Sequence, residues 1–164
     1  MKILYLTGLF FLAALLFSSC NKQSTGPIIP SISFNSFTPI STDSAKLSIN
    51  FTDGDGDIGS ADGSPDVWIK YFYFNYDSNR YEGIYNANDA STHDSVYFVY
   101  TLPDLTPKGK NKSLTGTIEI IMSPWYESAY LTTPDSNKIE YKIWLYDRAG
   151  HISNIITAGP FTGI

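Results

Sequence analysis

The sequence predicts an all-β domain, an antiparallel β-sandwich of seven to eight strands, behind an N-terminal leader. Apolar and polar residues alternate over most of the chain after residue 20, which is the period of a half-buried strand. Aromatic residues make up 15% of the chain, and most of them are the Tyr and Phe that strands favour. Turn residues separate the alternating segments, and no segment after residue 20 has a helical period. Such strands normally pack as two sheets around one core.

The first half of the chain contains four predicted strands. In residues 44–52 the odd-numbered positions are apolar and the even-numbered positions are polar, so one face is predicted to lie in the core. Residues 66–76 are apolar on both faces, as expected for a central strand. The four predicted strands are 31–38, 44–52, 66–76 and a short edge strand at 79–85.

The second half supplies the remaining strands, at 94–102, 113–122, 138–146 and 151–162. A tight turn at 148–150 separates the last two. The spacing is typical of an immunoglobulin-like or fibronectin-III-like sandwich, without the Cys…Trp…Cys spacing of antibody domains. A jelly roll or a small barrel is the structural alternative.

The leader, residues 1–20, reads M-K-I-L-Y-L-T-G-L-F-F-L-A-A-L-L-F-S-S-C. Lys2 gives it a positive start, and the apolar stretch 3–17 is shorter than the ~20 residues of a spanning helix. Two serines then precede Cys20, a pattern that resembles the lipobox of bacterial lipoproteins, with Phe17 where Leu is usual. The resemblance implies cleavage after residue 19 and attachment of palmitate-type acyl chains to Cys20. The chain has no other cysteine, so Cys20 cannot form an internal disulfide.

We therefore predict three parts: a lipoprotein signal peptide (1–19), the lipidated cysteine with a flexible tether (20–30), and the sandwich domain (31–164). By resemblance to lipoprotein sorting, Asn21 in place of Asp favours the outer membrane, and the absence of acidic residues directly after Cys20 favours its periplasmic face.

Residues 53–59, D-G-D-G-D-I-G, predict a cation site. Alternate carboxylates on a glycine-rich turn can converge on one hard ion such as Ca²⁺. The candidate ligands are Asp53, Asp55, Asp57 and Asp62. An EF-hand is not expected, because Phe51 occupies its first ligand position and the flanks are strands. The alternative is a solvated polar turn.

Asp147 is a fifth candidate ligand. In an immunoglobulin-like order, the loop after the second strand and the turn 147–150 lie at the same end of the sandwich, so Asp147 is predicted to approach the acidic residues. The alternative is a turn-forming Asp paired with Arg148.

Two segments, F-T-D-G-D-G-D-I-G and I-W-L-Y-D-R-A-G-H-I-S-N, are similar to those of small Bacteroidota-type lipoproteins with immunoglobulin-like domains. The resemblance implies a fold and a location more than an activity.

The composition favours a binding or structural module over an enzyme. The sequence has no G-x-S-x-G nucleophile elbow, and neither His93 nor His151 lies in a metal-ligand pattern. The net charge of −5 argues against nucleic acid. An envelope protein or a glycan is the expected partner besides the membrane. For a glycan, Trp125 and Tyr126 are the candidate stacking rings; their alternative role is core packing. A hydrolase using paired carboxylates is the third hypothesis.

Overall fold

The structure, a computed structural model, describes residues 26–83, 97–125 and 138–162. These ranges contain eight strands and no helix. The strands are β1 (Ser31–Pro39), β2 (Ala45–Asp53), β3 (Val67–Asn75), β4 (Arg80–Gly83), β5 (Tyr97–Tyr100), β6 (Leu114–Met122), β7 (Lys138–Leu145) and β8 (Ile156–Thr162). All eight predicted strands are therefore present, in the predicted order. None of the described residues belongs to a helix that could span a membrane.

The strands form two antiparallel sheets. The smaller sheet has the order β1-β2-β6. In the larger sheet β3 is central: β7 and then β8 lie on one side of it, and β4 and β5 pair with its other side. The two sheets make the predicted all-β sandwich, and the strand order is compatible with an immunoglobulin-like domain.

The core lies between the sheets and consists of alternate residues of each strand. From the smaller sheet, β2 contributes Leu47, Ile49 and Phe51, all predicted to point inward. From the larger sheet, every second residue of β7 and of the first part of β3 is fully buried: Val67, Ile69, Tyr71, Ile139, Tyr141, Ile143 and Leu145. Because a one-residue shift would turn all of these side chains outward, their burial fixes the register of the strands.

The last strand begins later than the alternation predicts. Residues 151–155 were expected to be part of it, but β8 starts at Ile156. In the preceding stretch, the Ser153 hydroxyl accepts a hydrogen bond from the Leu145 amide at 2.9 Å. Asn154 binds across to Ile32 of β1, accepting from its amide at 2.8 Å and donating to its carbonyl at 2.9 Å. These side chains replace regular ladder pairing and join the two sheets.

Candidate metal centre

The acidic loop, defined as residues 53–65, connects β2 to β3 at one end of the sandwich. Ile58 is fully buried and anchors the loop in the core. The Arg148 amide donates to the Asp57 carbonyl at 3.1 Å, and Ile58 forms an isolated bridge with Asp147. The loop after β2 and the turn after β7 therefore lie at the same end of the sandwich, as the predicted topology requires.

Three carboxylates of this loop converge. One oxygen from each of Asp53, Asp55 and Asp57 lies within 4.8 Å of the other two. Two oxygens bound to the same Ca²⁺ ion, each at 2.3–2.6 Å, are at most about 5 Å apart. The three side chains can therefore hold a single metal ion without a large rearrangement.

The carboxylates are buried without full hydrogen bonding. Asp53 is 2% exposed and Asp57 is 8% exposed, yet the Oδ1 atoms of Asp53, Asp55 and Asp57 are buried with no hydrogen-bond partner. The second oxygen of Asp53 accepts the Asp57 amide at 3.0 Å. Buried polar atoms are nearly always paired, so three orphaned oxygens in one place indicate that a positive group belongs there.

Burial also changes the acidity of the cluster. Burial, followed by the charges of the neighbouring carboxylates, raises the pKa of Asp57 to about 6. The pKa of Asp53 is raised chiefly by burial, against the hydrogen bond from the Asp57 amide. Both shifts show that negative charge is unfavourable here unless a cation compensates it.

Asp147 lies next to the cluster, but its oxygens are engaged elsewhere. Oδ1 accepts the His151 amide at 2.8 Å, and Oδ2 is 2.7 Å from His151 Nδ1. This contact, rather than a pair with Arg148, raises the pKa of His151. Asp147 is buried, and its charge is the second largest cause of the raised Asp57 pKa. It thus adds negative potential at the centre without sharing the three-oxygen cluster.

Asp62 points away from the cluster. It is exposed and accepts hydrogen bonds from the Ser60 hydroxyl at 2.5 Å and the Ser64 amide at 2.9 Å. These bonds lower its pKa to about 2. Its role is to form the turn, and it does not belong to the group that can hold the ion.

Arg148, which the sequence suggested only as an alternative partner of Asp147, is a positioning residue for the loop. Its Nη1 donates to the Gly59 carbonyl and to Asp104, each at 2.6 Å, and its Nη2 donates to the Thr106 hydroxyl. One guanidinium thus joins the acidic loop, the segment after β5 and the turn after β7. The only local signal was its place in the D-R-A-G turn.

The described end of the predicted tether rests on the acidic loop. The Gly54 amide, between two of the clustered aspartates, donates to the Pro27 carbonyl at 2.9 Å. A Cβ at Gly54 would collide with the backbone oxygens of Gly26 and Pro27, so only glycine allows this approach. Residues 27–30 are therefore attached to the domain rather than extended from it.

The predicted sugar-stacking role of Trp125 is wrong. Trp125 has no exposed surface, its Nε1 donates to the Thr42 carbonyl at 3.0 Å, and its ring packs edge-on against Phe37 at 5.4 Å. A fully buried ring has no face exposed to a ligand. This ring is part of the core and packs beside β1. Tyr126, its predicted partner, lies outside the described residues, as do Cys20 and His93.

The chemistry of the centre is that of a hard-cation site, since it offers oxygen ligands and no nitrogen or sulfur ligand within the cluster. No family model, curated protein or solved structure matches this chain.

Proposed function

We propose that this chain is a lipid-anchored protein of the cell envelope whose sandwich is a non-enzymatic binding or structural module, with its loop end organised by Ca²⁺. The cluster of Asp53, Asp55 and Asp57 carries the proposal, because buried carboxylates with orphaned oxygens need a compensating charge.

Ca²⁺ suits these residues better than a smaller or softer ion. It takes 6–8 oxygen ligands in flexible geometry, and three aspartates with backbone carbonyls and water can supply them. Mg²⁺ requires near-ideal octahedral geometry at 2.0–2.1 Å and usually keeps several of its waters, so it is less suited to a site that supplies many protein oxygens. Zn²⁺ favours nitrogen and sulfur ligands, which this cluster lacks.

Titration calorimetry of the full chain in uncharged detergent tests the metal. We expect Ca²⁺ to bind and to raise the melting temperature, by an amount equivalent to about 2.7 kcal/mol at a hundred times its dissociation constant. Asp55→Asn should weaken Ca²⁺ binding, whereas Asp62→Asn is the matched control, since that exposed residue lies in the same loop outside the cluster. Equal weakening by both substitutions, or no binding at all, would refute the site.

The lipid anchor is supported by the leader alone: a short apolar stretch followed by two serines and the lone Cys20. Mass spectrometry of the chain purified from bacterial membranes should show loss of residues 1–19 and the mass of an acylated Cys20. Cys20→Ser should leave the leader uncleaved. A mature chain that keeps an unmodified Cys20 would contradict this part without affecting the metal centre.

Outer-membrane placement on the periplasmic face follows from the residues after Cys20 and is part of the same proposal. Membrane fractionation, with protease added to intact cells, tests it. Protection in intact cells and digestion after permeabilisation is the expected result.

A further inference from the structure

The outward face of the larger sheet carries aromatic rings and lysines in rows. In β3, Trp68, Lys70, Phe72 and Phe74 alternate with core residues and so share the outer face. In β7, the register places Trp144 beside Trp68, and Lys142 beside Lys70. We call this surface the aromatic–lysine platform, comprising Trp68, Lys70, Phe72, Phe74, Lys138, Glu140, Lys142 and Trp144.

The rings and the ammonium groups of the platform are interleaved. Trp68 and Trp144 are nearly parallel, with ring centroids 6.2 Å apart and an interplanar angle of 14°. The Lys142 ammonium lies 4.9 Å from the centre of the Phe72 ring, and the Lys138 ammonium lies 5.8 Å from that of Phe74. Both lysines are exposed, so their charges remain available to a partner while the rings hold them in place.

The platform differs in charge from the rest of the molecule. The chain has a net charge of −5, but the residues of the platform include the exposed Lys138 and Lys142 and one carboxyl group, Glu140. Burial raises the pKa of Glu140, against the nearby charge of Lys142. A locally positive, aromatic surface on an acidic protein is complementary to an anion that also has flat apolar faces.

The platform is long and sheet-like rather than compact. At about 3.3 Å per strand residue, the distance from Trp68 to Phe74 is roughly 20 Å. Along that length the register places the two tryptophans side by side, then Lys70 beside Lys142, and then Phe72 beside Glu140. A flat surface of this length suits an extended polymer better than a small ligand, which needs a concave site.

We propose that the aromatic–lysine platform binds a linear acidic polysaccharide of the uronate class. The C–H faces of the sugar rings would pack on the aromatic side chains by dispersion, and the uronate carboxylates would lie against the lysines. This site is separate from the metal centre and from the buried Trp125. It also gives the sandwich an envelope ligand whose charge is opposite to that of the sheet face.

The test uses the full chain in uncharged detergent with four probes: hyaluronan, unsulfated chondroitin and the carboxyl-reduced neutral form of each. EGTA is present throughout, which removes Ca²⁺ bridging between polysaccharide and acidic loop. We expect binding to an acidic polysaccharide, weakening as salt rises, and at least about tenfold weaker binding to its neutral form.

The decisive variant is Lys138→Ala/Lys142→Ala, which should weaken binding about tenfold. Its matched control is Lys108→Ala/Lys110→Ala, which removes the same charge from exposed residues between β5 and β6. Phe72→Leu keeps an apolar side chain but loses the ring, and should also weaken binding. Unchanged melting temperatures establish that each variant is folded.

Three results would overturn the proposal. They are no binding to either acidic polysaccharide, equal binding to the carboxyl-reduced forms, and equal loss of binding in the control pair. Binding of poly-glutamate as tight as that of hyaluronan would also overturn it, in favour of an acidic protein partner. None of these results bears on Ca²⁺ binding, because the metal is chelated in every arm.

Discussion

Asp57→Asn is expected to have opposite effects on the protein with and without Ca²⁺. Asp57 is 8% exposed, and one of its oxygens is buried without a hydrogen-bond partner. Without a cation, its negative charge opposes folding, so its removal should stabilise the chelated protein. With Ca²⁺, the same charge binds the ion, so its removal should weaken binding and reduce the stability that Ca²⁺ adds.

The pKa shift gives the size of the effect without metal. The pKa of Asp57 is raised from 3.8 to about 6 in the folded protein, chiefly by burial. One pKa unit corresponds to 1.36 kcal/mol, so ionisation of this group costs at most about 3 kcal/mol of stability. Because the folded pKa is above the unfolded one, the cost is absent below pH 3.8 and complete above about pH 6. In EGTA the free energy of unfolding should therefore fall across this window.

Other carboxyl groups change the stability of the protein at lower pH. Hydrogen bonds, from the Ser60 hydroxyl to Asp62 and from the Thr106 hydroxyl to Asp104, hold the pKa of each carboxyl at about 2. A lowered folded pKa gives stability that is lost as pH falls below 3.8 towards 2. Between about pH 4.5 and pH 6 Asp57 acts together with Asp53, Asp66 and Glu140, because burial also raises the pKa of each of these carboxyl groups.

Urea unfolding followed by tryptophan fluorescence measures the effect between pH 4.5 and pH 7, in EGTA and in Ca²⁺. In EGTA the wild-type protein should lose stability as pH rises, and Asp57→Asn should reduce that slope. The part that remains is due to the raised pKa values of Asp53, Asp66, Glu140 and His151. In Ca²⁺ the wild-type protein should be the more stable of the two. Asp62→Asn is the control and should leave the slope in this window unchanged. A wild-type protein equally stable at pH 4.5 and pH 7 in EGTA would refute the reasoning.

Two further predictions concern the contacts that position the loop. Arg148→Lys keeps the charge, but a lysine cannot reach the three acceptors of the guanidinium. In chemical denaturation it should lower the free energy of unfolding by about 1–2 kcal/mol. The control is Arg80→Lys on an exposed hairpin, which should change that free energy by less than about 0.5 kcal/mol. Gly54→Ala places a methyl group against the Pro27 carbonyl and should displace residues 26–30, seen as faster proteolysis there; Gly26→Ala is the control, because its Cβ meets Gly54 only at an ordinary 3.6 Å. Equal effects in either pair would contradict the corresponding contact.

The strands could be predicted where one face of a strand is buried and the other exposed. Residues 44–52 and 138–146 agree with β2 (Ala45–Asp53) and β7 (Lys138–Leu145) to within one residue at each end. Alternation predicts these two strands well because the pattern of apolar residues coincides with the pattern of buried residues. It gave the wrong start for the last strand, because Ser153 and Asn154 bind distant backbone groups instead of continuing the ladder.

The sequence predicted the acidic cluster and the approach of the turn with Asp147, but not the side-chain contacts around them. Alternation of aspartate and glycine indicated that Asp53, Asp55 and Asp57 converge, since all three lie in one short turn. The hydrogen bonds of Arg148 to the Gly59 carbonyl and to Asp104 join segments far apart in sequence. The burial of Trp125 likewise depends on Phe37, 88 residues earlier in the chain. Such contacts leave no periodic signal in a single sequence.

The contrast between neighbouring carboxylates argues that the cluster exists for a ligand rather than for the turn. At the same end of the sandwich, Asp62 and Asp104 accept several hydrogen bonds each and have lowered pKa values. The aspartates that form turns at this end therefore accept hydrogen bonds from nearby donor groups. In the clustered aspartates, burial comes with one orphaned oxygen each, an arrangement that costs free energy until a cation compensates it. Asparagine or serine would form the same glycine-rich turn without that cost, so the three negative charges are best explained by the ion they can hold.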